Sequence, residues 1–471
     1  MTGDPCGDGV CVPTIRAGEM CLAKCSSDAD CRKPYACDAD WHACGLPGMA
    51  AMQPRQCPAV GGRDPAFAAS EALTSATSPG IYQFEPTSVV ANDGSIVAIY
   101  IGRGKMTSGN TLGILRGRTD APFGSDRQSH FDPWLARDAK GGLHAVWLGF
   151  DGRSKHQEIG FASSSDGGAT WSKPTAVNAD GDCKDPDAKS DDGDNGCLDK
   201  PMVAIGPDPA KKTNELVHIM YAANAGLRVR TSHDGGATFS PPVTPLEGIY
   251  GTVVVGRDGR LHVVTLNGGP GEGGDFGSDK QTVEYAMSRD GGATFSKAAA
   301  VTATGESVPF FFSNPAIAVD DKRGWIYIAY TRGRHDGLWD IAVAASKDGS
   351  SWTRTRIGDD PPCATHMVPN VAVDPTTGTL HVAWYDSHGE HGRFAHATCA
   401  AGAASCKDAG SINDVPFAAL GTVRHASTWI GEYESLLVDD KRRVLHAVWT
   451  QPIDDHGKPI SRIFHATAKL K

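Results

Sequence analysis

A short motif that recurs four times constrains the fold of this 471-residue chain more than any other feature of its sequence. Its copies are SSSDGGATW from Ser163, SHDGGATF from Ser232, SRDGGATF from Ser288 and the weaker SKDGSSW from Ser346. Ser and Asp side chains favour tight turns because they bond nearby backbone groups, and Gly supplies a positive φ. The motif therefore predicts one type of hairpin turn, followed by an aromatic side chain, in several repeated units.

A longer repeat indicates the strands of these units. Seven stretches follow the pattern Pro-x-x-Val-x-x-Asp-Gly-x-Leu-His-x-Val-Trp, which predicts two alternating apolar strands around a polar turn. They span residues 86–100, 133–147, 201–221, 252–265, 315–330, 369–384 and 434–449. A third strand and a short fourth strand are predicted after each pair. Four strands in a unit of about 55 residues are typical of a propeller blade.

The predicted fold class is therefore all-β, a closed β-propeller over residues 59–471. The repeat count gives seven blades, and six blades are the alternative if the unit at Thr252 is not a full blade. The last unit ends one strand short, and we expect a strand within residues 66–75 to complete it. Closure of this kind leaves no exposed sheet edge.

Cysteines are concentrated at the N-terminus, where eight of the 13 lie between Cys6 and Cys57. Close-spaced cysteines in a Gly/Pro-rich segment predict a small disulfide-rich module over residues 1–58 and an oxidising compartment. A zinc module is the alternative, but the spacings lack paired Cys-x2-Cys ligands. Because the N-terminus is polar and no apolar stretch approaches about 20 residues, we expect a secreted or cell-surface protein whose signal sequence was removed.

The remaining cysteines border two candidate metal sites. One loop, which a Cys183–Cys197 disulfide would close, contains many carboxylates, and these are suitable ligands for a structural calcium ion. A solvated acidic loop is the alternative, since the spacing of the carboxylates departs from that of the EF-hand. These carboxylates belong to Asp185, Asp187, Asp191, Asp192 and Asp194. Cys399 and Cys406 are expected to pair. Cys363 lies three residues before His366, which suits a transition metal, a buried thiol or another disulfide.

The turn motif resembles the Asp box, S-x-D-x-G-x-x-W/F, of sialidases and related propellers, and the two repeats together are similar to this superfamily over most of the chain. The resemblance implies a glycan site, but Phe84-Glu85-Pro86 stands where the family has a substrate-binding arginine. Arg103 is similar to the family's next Gly-Arg. The stretch Tyr433-Glu434-Ser435-Leu436 resembles the segment with the tyrosine nucleophile, which Glu432 or Glu434 would assist. The resemblance therefore implies a sialidase-like propeller without orthodox sialidase activity.

Polar residues precede each repeat and should surround the mouth of the central channel, where propellers usually bind ligands. Ionisable groups of both signs in one concave site shift each other's pKa values, as acid–base catalysis requires. The candidate catalytic residues are Tyr433, Glu432, Glu85, Asp132, His130 and Tyr250. Asp199 also belongs to this ring of residues. The candidate substrate-binding residues are Lys200, Asn314, His366, Arg103 and Arg332.

The predicted function is a carbohydrate-active enzyme that acts on a glycan or polysaccharide at the mouth. A hydrolase would pair carboxylates or use Tyr433 with Glu432; a lyase would need a Tyr or His base and a Lys or Arg beside the uronate, for which Arg334 is a further candidate. One alternative is a non-catalytic surface propeller that binds glycan or protein, tethered by its N-terminal module. Another is a transition-metal enzyme built on His130, His366 and Cys363. The net charge of −10 excludes a nucleic-acid partner.

Overall fold

The protein is described here from a computed structural model. The residues that this structure describes are 10–14, 18–32, 36–38, 43–45, 62–104, 109–151, 155–178, 182, 197–223, 226–248, 250–267, 281–309, 314–334, 338–357, 364–388, 391–418, 430–456 and 459–471. Within these ranges the structure is all-β, and its only helical segments are the short 3-10 turns Asp28–Asp30 and Ala401–Ala403. No helix among the described residues is long and apolar enough to cross a membrane.

Seven antiparallel sheets form the blades of a β-propeller, which confirms the predicted fold class and blade count. Strands are given from the innermost outward. Blade 1 consists of Tyr82–Val90, Ile96–Arg103, Asn110–Arg116 and Thr119–Phe123, and blade 2 of Ser129–Arg137, Leu143–Asp151, Lys155–Ser164 and Thr175–Ala176. Blade 3 consists of Leu198–Pro207, Glu215–Ala223 and Gly226–Ser232, and blade 4 of Tyr250–Val255, Leu261–Asn267, Thr282–Ser288 and Ala299–Ala300. Blade 5 consists of Ala316–Asp320, Trp325–Gly333, Trp339–Ser346 and Thr353–Ile357. Blade 6 consists of Ala364–Val373, Leu380–His388, His391–Cys399 and Cys406–Ser411, with Phe417–Ala418 beside the third strand. Blade 7 consists of Ser435–Asp439, Val444–Asp454, Pro459–Lys469 and Glu71–Ala72.

The ring closes through packing and through one strand from the start of the propeller. Each innermost strand contacts the innermost strand of the next blade, and that of blade 7 contacts that of blade 1. The outer strand of blade 7 is Glu71–Ala72, which pairs with Phe464 and His465 of the third strand. The buried Asp64 carboxylate also accepts a hydrogen bond from His396 of blade 6 at 2.8 Å. The residues that precede blade 1 therefore hold the last two blades.

The repeated sequence pattern places its bulkiest side chains between blades. The last residue of each repeat lies on a second strand and is fully buried: Tyr100, Trp147, Tyr221, Thr265, Tyr330, Trp384 and Trp449. The Trp147 ring lies against Gly160 of the neighbouring third strand, where a Cβ atom would come within 2.3 Å of it. Burial of a large apolar side chain contributes roughly 1.5–3 kcal/mol, so this layer is a main source of stability.

The Ser-x-Asp turns of blades 2, 3 and 4 share one hydrogen-bond pattern, and the turn of blade 5 keeps its serine–aspartate bond. In blade 3 the Ser232 hydroxyl donates to Asp234 Oδ1 at 2.7 Å, and Asp234 accepts the Thr238 backbone N–H and hydroxyl at 2.9 and 2.6 Å. Gly235 and Gly236 have φ values of 74° and 98°, which other residues rarely adopt. Each turn follows a third strand, so all four lie on the face opposite the start of the innermost strands.

Disulfides also agree with the sequence. In the N-terminal region Cys25 pairs with Cys37 and Cys31 with Cys44, beside two short hairpins. In blade 6 Cys399 pairs with Cys406, as predicted.

Candidate functional site

The innermost strands of blades 1, 2, 3 and 6 carry the same bulge near their start. In each strand the ladder skips two residues, an X-Pro pair, of which Glu85-Pro86 is the first. The residues before proline all have positive φ: Glu85 (54°), Asp132 (49°), Lys200 (47°) and Val368 (54°). This conformation costs about 1–3 kcal/mol in a non-glycine residue and is often found at functional sites. Bulges redirect side chains, and here three of the four carry charge.

The redirected side chains meet around one lysine. Lys200 Nζ lies 2.6 Å from Asp132 Oδ1 and 2.6 Å from Glu432 Oε2. The Tyr250 hydroxyl donates a hydrogen bond to Glu432 Oε1 at 2.9 Å, and Lys200 Nζ lies 5.5 Å from the centre of the Tyr250 ring. The Lys200 side chain is 11% exposed. Blades 2, 3 and 4 and the segment that enters blade 7 therefore contribute to one centre.

Two further carboxyls and a second tyrosine complete this centre. Glu85 is buried beneath Gly431, where a Cβ atom would meet Glu85 Cγ at 2.1 Å. The buried Tyr433 hydroxyl lies beside the Glu85 carboxyl. Asp199 Oδ1 accepts the Lys200 backbone N–H at 2.9 Å. We call the complete set the mouth cluster: Glu85, Asp132, Asp199, Lys200, Tyr250, Glu432 and Tyr433.

Burial and charge divide the mouth cluster into proton donors and ions. Burial raises the pKa of Glu85 to about 8 and that of Asp199 to about 8, despite the opposing effect of Lys200. Burial disfavours the Lys200 ammonium, but Asp132 and Glu432 outweigh this effect and hold its pKa well above the usual value. At neutral pH the cluster therefore contains two protonated carboxyls and a lysine cation.

Tyr250 and Tyr433 are poor acids in this environment. Burial raises the pKa of Tyr250 well above its usual value, and the negative charge of Glu432 adds to this effect. Burial and the Glu85 carboxyl do the same for Tyr433. Ionisation of either phenol therefore requires direct proton transfer to a base. Tyr250 contacts the Glu432 carboxylate at 2.9 Å, whereas Tyr433 lies beside Glu85, which is protonated at neutral pH.

The two candidate histidines lie outside the mouth cluster. His130 Nε2 is 3.2 Å from both the backbone nitrogen and the hydroxyl of Ser125, and burial lowers its pKa. His366 is fully buried in blade 6, with Nε2 at 3.5 Å from Asp386 Oδ1 and its ring near Trp384. Both histidines stand three residues before the proline of their strand, whereas Glu85, Asp132 and Lys200 stand one residue before it.

The other candidate binding residues occupy three different places. Asn314 is buried and lines the central channel, together with Glu432 and Tyr433, in a cavity of about 340 Å³. Arg103 Nε donates to Asn110 Oδ1 at 3.0 Å, and its guanidinium lies over the Phe84 ring in blade 1. Arg332 lies in a separate pocket of blade 5. Of these three, only Asn314 lies next to a member of the mouth cluster.

The predicted metal ligands fall largely outside the described residues. This applies to Cys363, Cys183 and the five loop aspartates, although Cys197 is disulfide-bonded. Among the described residues, one group of three potential ligand atoms lies within 4.8 Å, that of Cys25, Cys31 and Cys44. Because these sulfurs belong to two disulfides, they are not available as thiolate ligands.

Sequence reasoning missed two relationships in this site. It assigned no catalytic role to Asp199, and it paired Glu432 with Tyr433 rather than with Tyr250. For Asp199 the available signal was its place beside Lys200, because the proline after Glu85, Asp132 and Lys200 marks equivalent positions in successive blades.

Comparisons with known proteins give distant structural similarities. No protein-family model and no curated protein sequence matches the chain. Similar solved structures include a protein of unknown function from Dyadobacter fermentans (14% identity, 88% of this chain and 97% of that chain covered, TM-score 0.45). Others are the GH93 α-L-arabinofuranosidase of Fusarium graminearum (16% identity, 72% and 93% covered, TM-score 0.44) and the intramolecular trans-sialidase from Ruminococcus gnavus (12% identity, 67% and 92% covered, TM-score 0.43). At such low identity, the substrates of those enzymes describe those enzymes alone.

Proposed function

We propose that this protein is a glycoside hydrolase whose reaction takes place at the mouth cluster, with Tyr250 as nucleophile. The observation that supports this most directly is the 2.9 Å hydrogen bond from the Tyr250 hydroxyl to Glu432 Oε1. A tyrosine with a high pKa becomes nucleophilic when an adjacent carboxylate accepts its proton during attack. Tyrosine nucleophiles are an established exception to the two-carboxylate mechanism of glycoside hydrolases.

Asp199 would serve as the general acid. Its pKa of about 8 keeps the carboxyl protonated at neutral pH, and its residue is less buried than Glu85. In the first step the Tyr250 oxygen forms a bond to the anomeric carbon while its proton passes to Glu432. The bond from that carbon to the glycosidic oxygen breaks, and Asp199 gives its proton to the departing oxygen.

Water would complete the cycle. It attacks the anomeric carbon and gives a proton to ionised Asp199, and the Tyr250 oxygen leaves with the bonding electrons and regains its proton from Glu432. Asp132 and Lys200 do not exchange protons in this scheme. Lys200 holds Glu432 in place through the 2.6 Å ion pair and balances the charge that Glu432 carries before attack.

The decisive experiment compares two tyrosine variants. Wild type, Tyr250→Phe and Tyr433→Phe are assayed on aryl glycosides and on neutral and acidic polysaccharides, with release of new reducing ends as the readout. We expect Tyr250→Phe to lower kcat by about 10³-fold or more, because the nucleophile is lost. Tyr433→Phe should keep most of the activity, since its hydroxyl lies beside Glu85, which takes no part in this scheme.

The opposite ranking would refute the assignment and return the nucleophile to Tyr433. Product absorbance in the unsaturated-uronate band, without new hydrolytic ends, would instead identify a lyase. Thermal unfolding of both variants shows whether a loss of activity reflects a loss of fold.

A second candidate function is a propeller that binds glycans without cleaving them. The observation that favours it is the pair of ion contacts from Lys200 to Asp132 and Glu432, which fills the space between these two carboxylates. If the wild type binds a glycan of the panel but releases no product, and Tyr250→Phe binds it equally well, this second function replaces the first.

A further inference from the structure

Blade 5 carries a second polar pocket on the same face as the mouth cluster. Strands of a blade alternate in direction, so the start of the first strand, the end of the second and the end of the fourth lie on one face. Asn314 precedes the first strand, Gly333 ends the second, and Arg356 lies near the end of the fourth. The pocket has a volume of about 730 Å³, within the range of ligand sites. It lies farther from the central channel than the mouth cluster because outer strands form it.

Three arginines in this pocket converge on one buried carboxylate, that of Asp340. Its side chain is 1% exposed, and it accepts contacts from Arg332 Nη2 at 3.1 Å, Arg334 Nη1 at 3.4 Å and Arg356 Nε at 3.0 Å. Guanidinium groups normally repel one another, so a shared buried anion is needed to hold three of them together. Asp340 therefore fixes the arginines in place, and we call this group the arginine pocket.

Among the residues that the structure describes, the arginine pocket has more positive charge than its acids balance. Its described lining contains three arginines and two carboxylates, those of Asp340 and Glu306. Glu306 accepts hydrogen bonds from the Tyr330 hydroxyl and the Ala303 backbone, and it stays 3.9 Å from Arg332 Nε, which is buried without a hydrogen bond. The side chains of Arg332 and Arg356 are 32% and 40% exposed. A guanidinium has five N–H donors, so Arg332 and Arg356 can each bind a further anion.

We infer that the arginine pocket binds an oxyanion group, a carboxylate or a sulfate ester, on an acidic glycan whose reacting sugar occupies the mouth. The inference rests on the proposed function for the position of that sugar, and it adds the class of substrate. Planar guanidinium groups match the paired oxygens of such groups, and the described residues that line the pocket include no aromatic side chain on which a neutral sugar ring could stack.

Equilibrium binding tests the inference without any need for turnover. The Tyr250→Phe protein is titrated with an oligogalacturonate, a sulfated dextran oligosaccharide and a neutral dextran oligosaccharide of equal length. We expect at least one anionic probe to bind more tightly than the neutral probe. Arg356→Gln or Arg332→Gln, added to Tyr250→Phe, should weaken that binding about tenfold, because a charge-assisted contact is lost. Preference for one probe identifies the carboxylate or the sulfate.

Arg289→Gln is the matched control. Arg289 is exposed in the turn of blade 4 on the opposite face, and its substitution removes the same charge as Arg356→Gln. It should leave binding unchanged. Equal weakening by Arg289→Gln and Arg356→Gln would overturn the inference, because the effect would then be one of net charge. No anionic preference, or no binding at millimolar probe, would also overturn it. Failure of turnover in the wild type with intact anionic preference would refute the proposed hydrolase but not the arginine pocket.

Discussion

Carboxyl groups lie at both faces of the propeller, and their surroundings differ. Asp234, in a Ser-x-Asp turn, is exposed, and hydrogen bonds from Thr238 and Ser232 lower its pKa to about 2. Glu85, in the mouth cluster, is 3% exposed, and burial raises its pKa to about 8. At neutral pH the Asp234 carboxyl is therefore ionised, whereas the Glu85 carboxyl is protonated.

The difference teaches what each face contributes. At the turns, a carboxylate ties a hairpin together by accepting N–H and O–H groups, and water solvates what remains. At the mouth, four carboxyls share one lysine, so they cannot all ionise together. On the turn face, carboxylates fix the backbone of the hairpins. On the mouth face, buried carboxyls hold protons and charge at a cost in stability, as is common in active sites.

The strongest way to break this contrast is to remove the shared cation. Lys200→Met leaves Asp132 and Glu432 buried without their ion pairs, so we expect a loss of about 3–5 kcal/mol in the free energy of unfolding near pH 8. Denaturant unfolding measures this loss.

Lys211→Met is the matched control for this variant. Lys211 is exposed in the turn between the first two strands of the same blade, on the opposite face, and should change stability little. If both lysine variants unfold at the same denaturant concentration, the ion pairs of Lys200 contribute nothing net.

A second test concerns the direction in which pH changes stability. The folded-state pKa of Glu85 lies above its unfolded value, so the folded protein holds a proton that the unfolded chain releases as pH rises from about 5 to 8. Relative to Glu85→Gln, the wild type should therefore lose roughly 2–4 kcal/mol over this interval and then level off. Unfolding curves at several pH values give the slope.

Asp234→Asn sharpens the same test. Because the pKa of Asp234 is lowered, its contribution to stability is present above the unfolded pKa and is lost only as pH falls toward about 2. This variant should run parallel to the wild type between pH 5 and 8. A parallel line for Glu85→Gln as well would mean that Glu85 is ionised in the folded protein.

The fold was accessible from the sequence because each blade repeats the same physical pattern. Alternating apolar strands and a polar turn recur in every unit, and every unit except the fourth, which has Thr265, ends in an aromatic residue. These terminal residues, such as Trp147 and Trp384, form the buried layer between blades. Histidines at one blade position, such as His218 and His262, are likewise buried in the structure, which agrees with a packing role. Because the pattern recurs in seven units, the prediction of the fold did not depend on any single residue.

The site was accessible only in part, because bulges decide where its side chains point. Glu85, Asp132 and Lys200 were expected at the mouth, and they do meet there. His130 and His366 were expected beside them, but a strand alternates its side chains and the bulge shifts that alternation at the residue before proline. In blade 6 the position equivalent to Glu85 is Val368. Sequence alone shows the proline but not the positive φ that precedes it.

The smallest expected effect lies on the turn face and tests whether its hydrogen bonds matter individually. Ser232 is buried, its hydroxyl donates to Asp234 Oδ1 at 2.7 Å, and it accepts the Gly236 backbone N–H at 2.7 Å. Ser232→Ala removes both bonds and the 3.3 Å bond that the hydroxyl accepts from the Asp234 backbone N–H, but the turn is near solvent and Asp234 keeps its bonds to Thr238. We therefore expect a cost of only about 1 kcal/mol, measured by denaturant unfolding. Ser405→Ala, at an exposed serine, should cost less. A loss for Ser232→Ala larger than that for Lys200→Met would show that the hydrogen bonds of the turns contribute more to stability than the ion pairs of the mouth.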